Sequence, residues 1–183
     1  NPYTVTINGD TVVTATFEEE VPLKVELEVY TVGNGTVAKD PDQTTFLTGS
    51  TVELTANPDA GWTFANWSGA LSGSANPETL LMDADKVVTA TFTQDQYTLD
   101  VNVVGDGAVA QVPDQTTYVY GDEVLLDAAA VPGWTFAGWS GDVVSMDDPY
   151  TVTITGDTVV TATFTQDQYT LDVNVVGDGT VAQ

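Results

Sequence analysis

The sequence predicts an all-β or β-rich fold made of small modules in tandem. Three observations carry this. Valine and threonine dominate short stretches in which apolar and polar residues alternate, the period of a half-buried strand. Clusters of Gly, Asp and Asn interrupt these stretches at short intervals, as turns require. The chain also repeats itself at a constant offset of 72 residues across its second full module. No stretch of useful length carries a helical period; a single helical turn around Asn76 or Asp147 is the most helix the pattern allows.

Four segments follow from the repeat: residues 1–20, the C-terminal half of a module; 21–96, a full module; 97–168, a second full module; and 169–183, the N-terminal part of a further one. The chain thus starts and stops in mid-repeat, and a longer natural protein is expected. In the first segment Tyr3, Val5 and Ile7 alternate with threonines, Asn8-Gly9-Asp10 reads as a hairpin turn, and Val13, Ala15 and Phe17 line the returning strand. Pro2–Phe17 and Pro149–Phe164 differ only at Asn8, where the later copy has Thr155. Glu18-Glu19-Glu20-Val21-Pro22 then forms a join three residues longer than the later ones, Thr93–Gln96 and Thr165–Gln168. Those later joins are too short to be free linkers, so neighbouring modules are expected to touch or nearly touch and to build an elongated rod.

In the first full module Val25, Leu27 and Val29 line one strand face, Gly33-Asn34-Gly35 turns, and Thr36–Ala38 begins a second strand. After the loop at Asp40–Gln43 come Thr44–Leu47, a turn at Gly49-Ser50, and a strand with Val52, Leu54 and Ala56 inward. Asn57–Gly61 leads into Gly61-Trp62-Thr63-Phe64-Ala65-Asn66-Trp67-Ser68-Gly69. A variable loop to Pro77, a strand with Leu80 and Met82, a hairpin turn at Asp83–Lys86 and a strand from Val87 to Phe92 complete the module. The second module follows suit, with Tyr97, Leu99, Val101 and Val103 in its first strand and Val124, Leu126 and Ala128 in its fourth. Val87–Gly107 and Val159–Gly179 are identical.

All four tryptophans lie in the Gly61–Gly69 stretch and its copy, Gly133–Gly141. A buried Trp or Phe removes roughly 150–250 Å² from water, and truncating one costs about 3–5 kcal/mol. Trp62, Phe64 and Trp67 with Phe92 are therefore the expected core of one module, and Trp134, Phe136 and Trp139 with Phe164 that of the next; Phe17 is the matching position in residues 1–20. The competing readings make the tryptophans an exposed platform for sugars or a buried contact between modules.

The pattern Tyr-Thr-Leu-x-Val, Gly-x-Gly, Gly-Trp-x-Phe-x-x-Trp-Ser-Gly, Asn/Asp-Pro and Val-x-Ala-x-Phe resembles the divergent form of the internalin-B-type B-repeat. Its most specific part is Gly133–Gly141 followed by Pro149 and Val160-Thr161-Ala162-Thr163-Phe164. The resemblance implies a small β-rich module, β-grasp-like or a small sandwich, and a spacer, stalk or adhesive role on exported surface proteins. It brings no catalytic residues. This chain departs from the family in having almost no basic residues.

Of 183 residues, 27 are acidic and 3 basic, all lysine (Lys24, Lys39, Lys86), giving a net charge of −24. Such a chain lacks the cations needed to neutralise nucleic acid or an anionic membrane. There is no apolar run long enough to span a bilayer as a helix and no Cys, His or Arg, so disulfides, thiol or His-based catalysis, His-ligated zinc and arginine clamps are excluded. Paired carboxylates such as Asp147/Asp148 or Asp83/Asp85 stand in turns and differ between the modules, which argues against a glycosidase. No catalytic, cofactor-binding or metal-ligating residue is assigned. Calcium is the one cofactor that acidic turns at Asp40/Asp42, Asp83/Asp85 and Asp147/Asp148/Asp157 could hold, although no EF-hand loop is present. Asn34-Gly35-Thr36 and Asn66-Trp67-Ser68 match the glycosylation sequon, but the second module has Asp106 and Gly138 at those places.

These readings converge on a non-enzymatic structural repeat of an extracellular or cell-surface protein. Its expected partners are itself, through neighbouring repeats or other chains in a fibre, and, on the platform reading, a surface polysaccharide. A carbohydrate-binding or adhesive module and a calcium-stiffened adhesin are the alternatives.

Overall fold

Strand-forming residues and turn residues alternate through the two full modules, and the computed structural model, which describes residues 4–18 and 21–179, turns that alternation into thirteen strands and no helix. The first module contains β1 (Lys24–Val32), β2 (Gly35–Asp40), β3 (Thr45–Leu47), β4 (Ser50–Pro58), β5 (Trp62–Gly69), β6 (Glu78–Met82) and β7 (Lys86–Gln94). The second contains β8 (Leu99–Val104), β9 (Gly107–Val112), β10 (Glu123–Ala130), β11 (Trp134–Gly141), β12 (Tyr150–Thr153) and β13 (Thr158–Gln166).

Each module is two sheets facing one another. In the first, one sheet has the order β3-β1-β7-β5 and the other β2-β4-β6. Odd-numbered strands thus fill one sheet and even-numbered strands the other, and every connection passes across the core. The second module repeats this with β11-β13-β8 against β12-β10-β9. Its counterpart of β3 is reduced to the Tyr97–Tyr118 bridge, closed by two N–H···O bonds of 2.9 Å. All ladders are antiparallel except the central pairs β1–β7 and β8–β13, which are parallel. Parallel neighbours need a long crossover; here the crossover is the rest of the module.

This topology corrects the expected hairpins. The turns at Asp83–Asp85 and Thr155–Asp157 do not join paired strands, because β6 pairs with β4 while β7 pairs with β5 and β1, and β12 and β13 separate likewise. A period of two specifies which face of a strand is apolar. It does not specify whether the next strand lies beside it or opposite it. Here Leu80 and Met82 on β6 face Val88, Ala90 and Phe92 on β7 across the core. Of the two expected arrangements, the small sandwich describes these modules, with a parallel pair of first and last strands at the centre of one sheet. No helical turn forms at Asn76 or Asp147.

Each module closes its own core. The first gathers Val25, Leu27, Phe46, Val52, Leu54, Ala56, Trp67, Leu80, Met82, Val88, Ala90 and Phe92. The second gathers Tyr118, Val124, Leu126, Ala128, Trp139, Val152, Ile154, Val160, Ala162 and Phe164. Residues 4–18 carry no strand: Asn8-Gly9 is a bend, and the alternating apolar residues around it are exposed. Residues 167–179 likewise carry none.

Candidate functional site

The aromatic stretch is where the chain concentrates its most distinctive side chains, and a β-bulge governs it. In a regular strand, residues three apart point to opposite faces. Phe64 and Trp67 are three apart, yet both pack on the core. The β5–β7 ladder skips Ala65, passing from Phe64↔Phe92 to Asn66↔Thr91, and the β11–β13 ladder skips Ala137 in the same way. One extra residue resets the alternation, so Trp62, Phe64 and Trp67 all turn inward while Thr63 and Asn66 turn out. The Trp-x-Phe-x-x-Trp spacing is thus the sequence form of a bulge.

The rings meet edge on. Phe64 lies 4.9 Å from Trp67 and 5.9 Å from Phe92 between centroids; the second module gives 5.0 Å and 5.6 Å. These tilted and T-shaped contacts suit the quadrupoles of aromatic rings. The Gly-x-Gly turn belongs to the same unit. A Cβ on Gly33 would overlap the Phe92 carbonyl and approach Trp62 Cζ3 to 2.7 Å, and one on Gly35 would meet the Phe92 ring at 2.7–2.8 Å. Only glycine admits the ring there.

The buried indoles also hold the variable loops. Trp67 donates its N–H to the Ala75 carbonyl at 2.8 Å, and Trp139 donates to that of Asp147 at 2.9 Å. Beside each anchor an Asn/Asp-Pro residue grips β4 or β10. The Asn76 side chain accepts the Ala56 N–H and donates to the Ala56 carbonyl, both at 2.8 Å. Asp148 can only accept, and takes the Ala128 N–H at 2.8 Å.

The expected core residues fall into three groups. Trp67, Trp139, Phe92 and Phe164 are buried. Trp62, Phe64, Trp134 and Phe136 are half-buried and packed against the cores. Phe17 is a correction: it is 91 % exposed. Its counterpart Phe164 lies between β11 and β8, which are bonded to β13 on either side; no such strands flank residues 11–17. Trp67 and Trp139 face inward, and Trp62 and Trp134 are the more exposed of the four tryptophans.

The acidic turns serve the backbone. Asp85 accepts the Glu26 N–H at 2.8 Å, and Asp157 accepts both the N–H and the hydroxyl of Thr98, at 2.9 and 3.2 Å. Asp95 and Asp167 accept the hydroxyls of Thr63 and Thr135, each at 2.7 Å. Asp83 pairs with Lys86 at 2.6 Å and Asp42 with Lys39 at 3.4 Å. The Lys86 ammonium holds the Asp83 carboxyl below its ordinary pKa, chiefly through that hydrogen bond. Among the described residues no three Asp or Glu converge as a cation cage.

Tyr118, the Ala65 and Ala137 bulges and the Asn76/Asp148 grip were missed in the sequence. The first had a signal, since it stands at the place of Phe46 in the other module. The bulge had one in the odd spacing of Phe64 and Trp67.

A two-sheet β module, repeated in tandem and closed around a Gly-Trp-x-Phe-x-x-Trp bulge, is the class of structure these observations define. The profile of the divergent InlB B-repeat domain matches residues 25–96 and again 97–168, and the chain belongs to that family of repeat modules. No curated protein matches the chain.

Proposed function

We propose that the chain is a non-enzymatic structural segment of an extracellular surface protein, a stalk or fibre in which B-repeat modules are joined head to tail. The observation that carries this reading is that each module closes its own core while only Thr93–Gln96 separates consecutive modules. Such modules add length without any one depending on distant sequence. The acidic composition suits a long, well-solvated protein. Partners on this reading are neighbouring repeats and other copies of the chain.

Electron microscopy of the purified chain at physiological salt, with and without Ca²⁺, tests the reading, together with antibody labelling of intact cells of the source organism. Elongated particles or ordered fibres with an axial repeat of one or two modules, and surface labelling, are expected. Round particles, or labelling only after lysis, would overturn it. The carboxylates already bonded to backbone and threonine groups argue that a chelator leaves the melting temperature unchanged; a fall on chelation would favour the calcium-stiffened adhesin.

A further inference from the structure

At Gly61 the first module fits backbone to side chain against the second. This glycine sits at φ +74° in the turn before β5, and a Cβ there would overlap the Cβ of Tyr120, from the second module. Around that contact the join is fixed at several points. The Asp95 N–H donates to the Gly61 carbonyl at 2.9 Å, and Thr63 donates to Asp95 at 2.7 Å. Thr117 donates to the Gln96 side chain at 2.9 Å, and the Tyr97 hydroxyl points to Asp95 at 3.5 Å.

Half of this arrangement exists a second time. Gly133 has φ +87°, its carbonyl accepts the Asp167 N–H at 2.8 Å, and Thr135 donates to Asp167 at 2.7 Å. The Tyr169 hydroxyl donates to Asp167 at 3.1 Å. The residues of the join, Thr165–Gln168, are those of Thr93–Gln96. Yet a Cβ on Gly133 would meet nothing within 4 Å. At the other end of the first module, the places of Tyr97 and Tyr120 are held by Val25 and Thr48, and the join before it is longer.

We propose that the Gly133 turn is a preformed docking seat for a further repeat that carries tyrosines at the Tyr97 and Tyr120 positions, the Gly61–Tyr120 contact being the same seat filled. Modules that carry the tyrosine pair are held at a fixed angle to the module before them. A module with Val25 and Thr48 in those places has no such hold on what precedes it, so the sequence sets the stiffness of each joint. This concerns the joint alone and stands whatever the chain does on a cell.

The absence of native cysteine makes the test direct. Spin labels are placed on Thr51→Cys and Asp127→Cys, exposed positions of the two modules, and the distance distribution is read by pulsed electron spin resonance. A narrow distribution is expected in the parent. Gly61→Ala and, separately, Tyr120→Thr should widen it by about twofold or more, since domains without a fixed interface move relative to one another by default. Gly133→Ala imposes the same backbone strain with no neighbour to strike, and should leave this joint unchanged. For the open seat the chain is lengthened after Gln183 by a copy of residues 112–168, with labels on Asp127→Cys and its equivalent in the added module. There Gly133→Ala should widen the distribution across the new joint. Equal widths for parent, Gly61→Ala and Tyr120→Thr would overturn the filled seat. A new joint that is broad in the lengthened parent, or indifferent to Gly133→Ala, would overturn the open one.

Discussion

Residues 4–17 and 151–164 are the same sequence but for Asn8 and Thr155, and they have different structures. In the second module the stretch holds β12 from Thr151 onward and most of β13, with Ile154 fully buried and Phe164 2 % exposed. In the first segment the matching Ile7 and Phe17 are 72 % and 91 % exposed, and no strand forms. Residues 169–176 give the same lesson, since they repeat Tyr97–Val104 without forming a counterpart of β8. Strand propensity in this chain is a readiness to pair. What converts it into a strand is β10 beside β12, and β8 and β11 on either side of β13.

The comparison is broken most severely by disturbing the register of a partner strand. Deleting Ala137 takes away the bulge, and a one-residue slip turns either Trp139 or the Trp134/Phe136 pair to solvent. The expected loss is about 3–5 kcal/mol or more from the second module, comparable to truncating a buried Trp. Residues 158–164 should then resemble residues 11–17 in chemical shift, while the first module keeps its own unfolding transition in urea. Next in size is Phe164→Ala, expected to cost about 3–5 kcal/mol. Phe17→Ala, in the same local sequence, should fall within about 0.5 kcal/mol of the parent.

Asp157 and Asp10 form a third pair. Asp157→Ala removes the acceptor of the Thr98 N–H and hydroxyl; both are exposed, so water takes its place and the expected cost is about 0.5–1.5 kcal/mol. Asp10→Ala should have no measurable effect on urea unfolding. A gain is expected from Asp148→Asn. It gives the second module the donor that Asn76 uses on the Ala56 carbonyl, worth about 0.5–1.5 kcal/mol in denaturant unfolding.

The smallest effect concerns Asp83, whose carboxyl titrates below the ordinary Asp value of 3.8 beside Lys86. A depressed folded pKa means that the pair's contribution is present above that ordinary value and lost as pH falls through the folded value. Asp83 is exposed and Lys86 half-buried, so the contribution to stability is slight and screened by salt. The readable quantity is the titration itself: in Lys86→Gln the Asp83 carboxyl resonance should titrate at a higher pH than in the parent. The second module, with Thr155 and Thr158 at these places, has no equivalent pair.

Much of this was legible in the sequence for physical reasons. Period-two alternation marked Val25 and Leu27, and Val52, Leu54 and Ala56, as inward residues, because a strand with one buried face has no other reading. The repeat of 72 residues was legible as a tandem pair, and the family profile matches residues 25–96 and 97–168. The pairing of strands was not legible. Turns such as Asp83–Asp85 carry the same residues whether the chain doubles back within a sheet or crosses to the facing one, and only the assembled core distinguishes them. The bulge was written in the spacing of Trp62, Phe64 and Trp67, but a strict alternation hides it. Phe17 was misread because its local sequence is that of a core residue, and burial belongs to the neighbours.

Amide hydrogen exchange on the intact chain tests the dependence on partners most directly, since both copies of the sequence are read in one sample. The account predicts strong protection at ladder positions such as Val160 and Ala162, with Val13 and Ala15 exchanging at the rate of an unstructured peptide. Comparable protection at the two sets of positions would contradict it, and would mean that residues 4–17 find strand partners of their own.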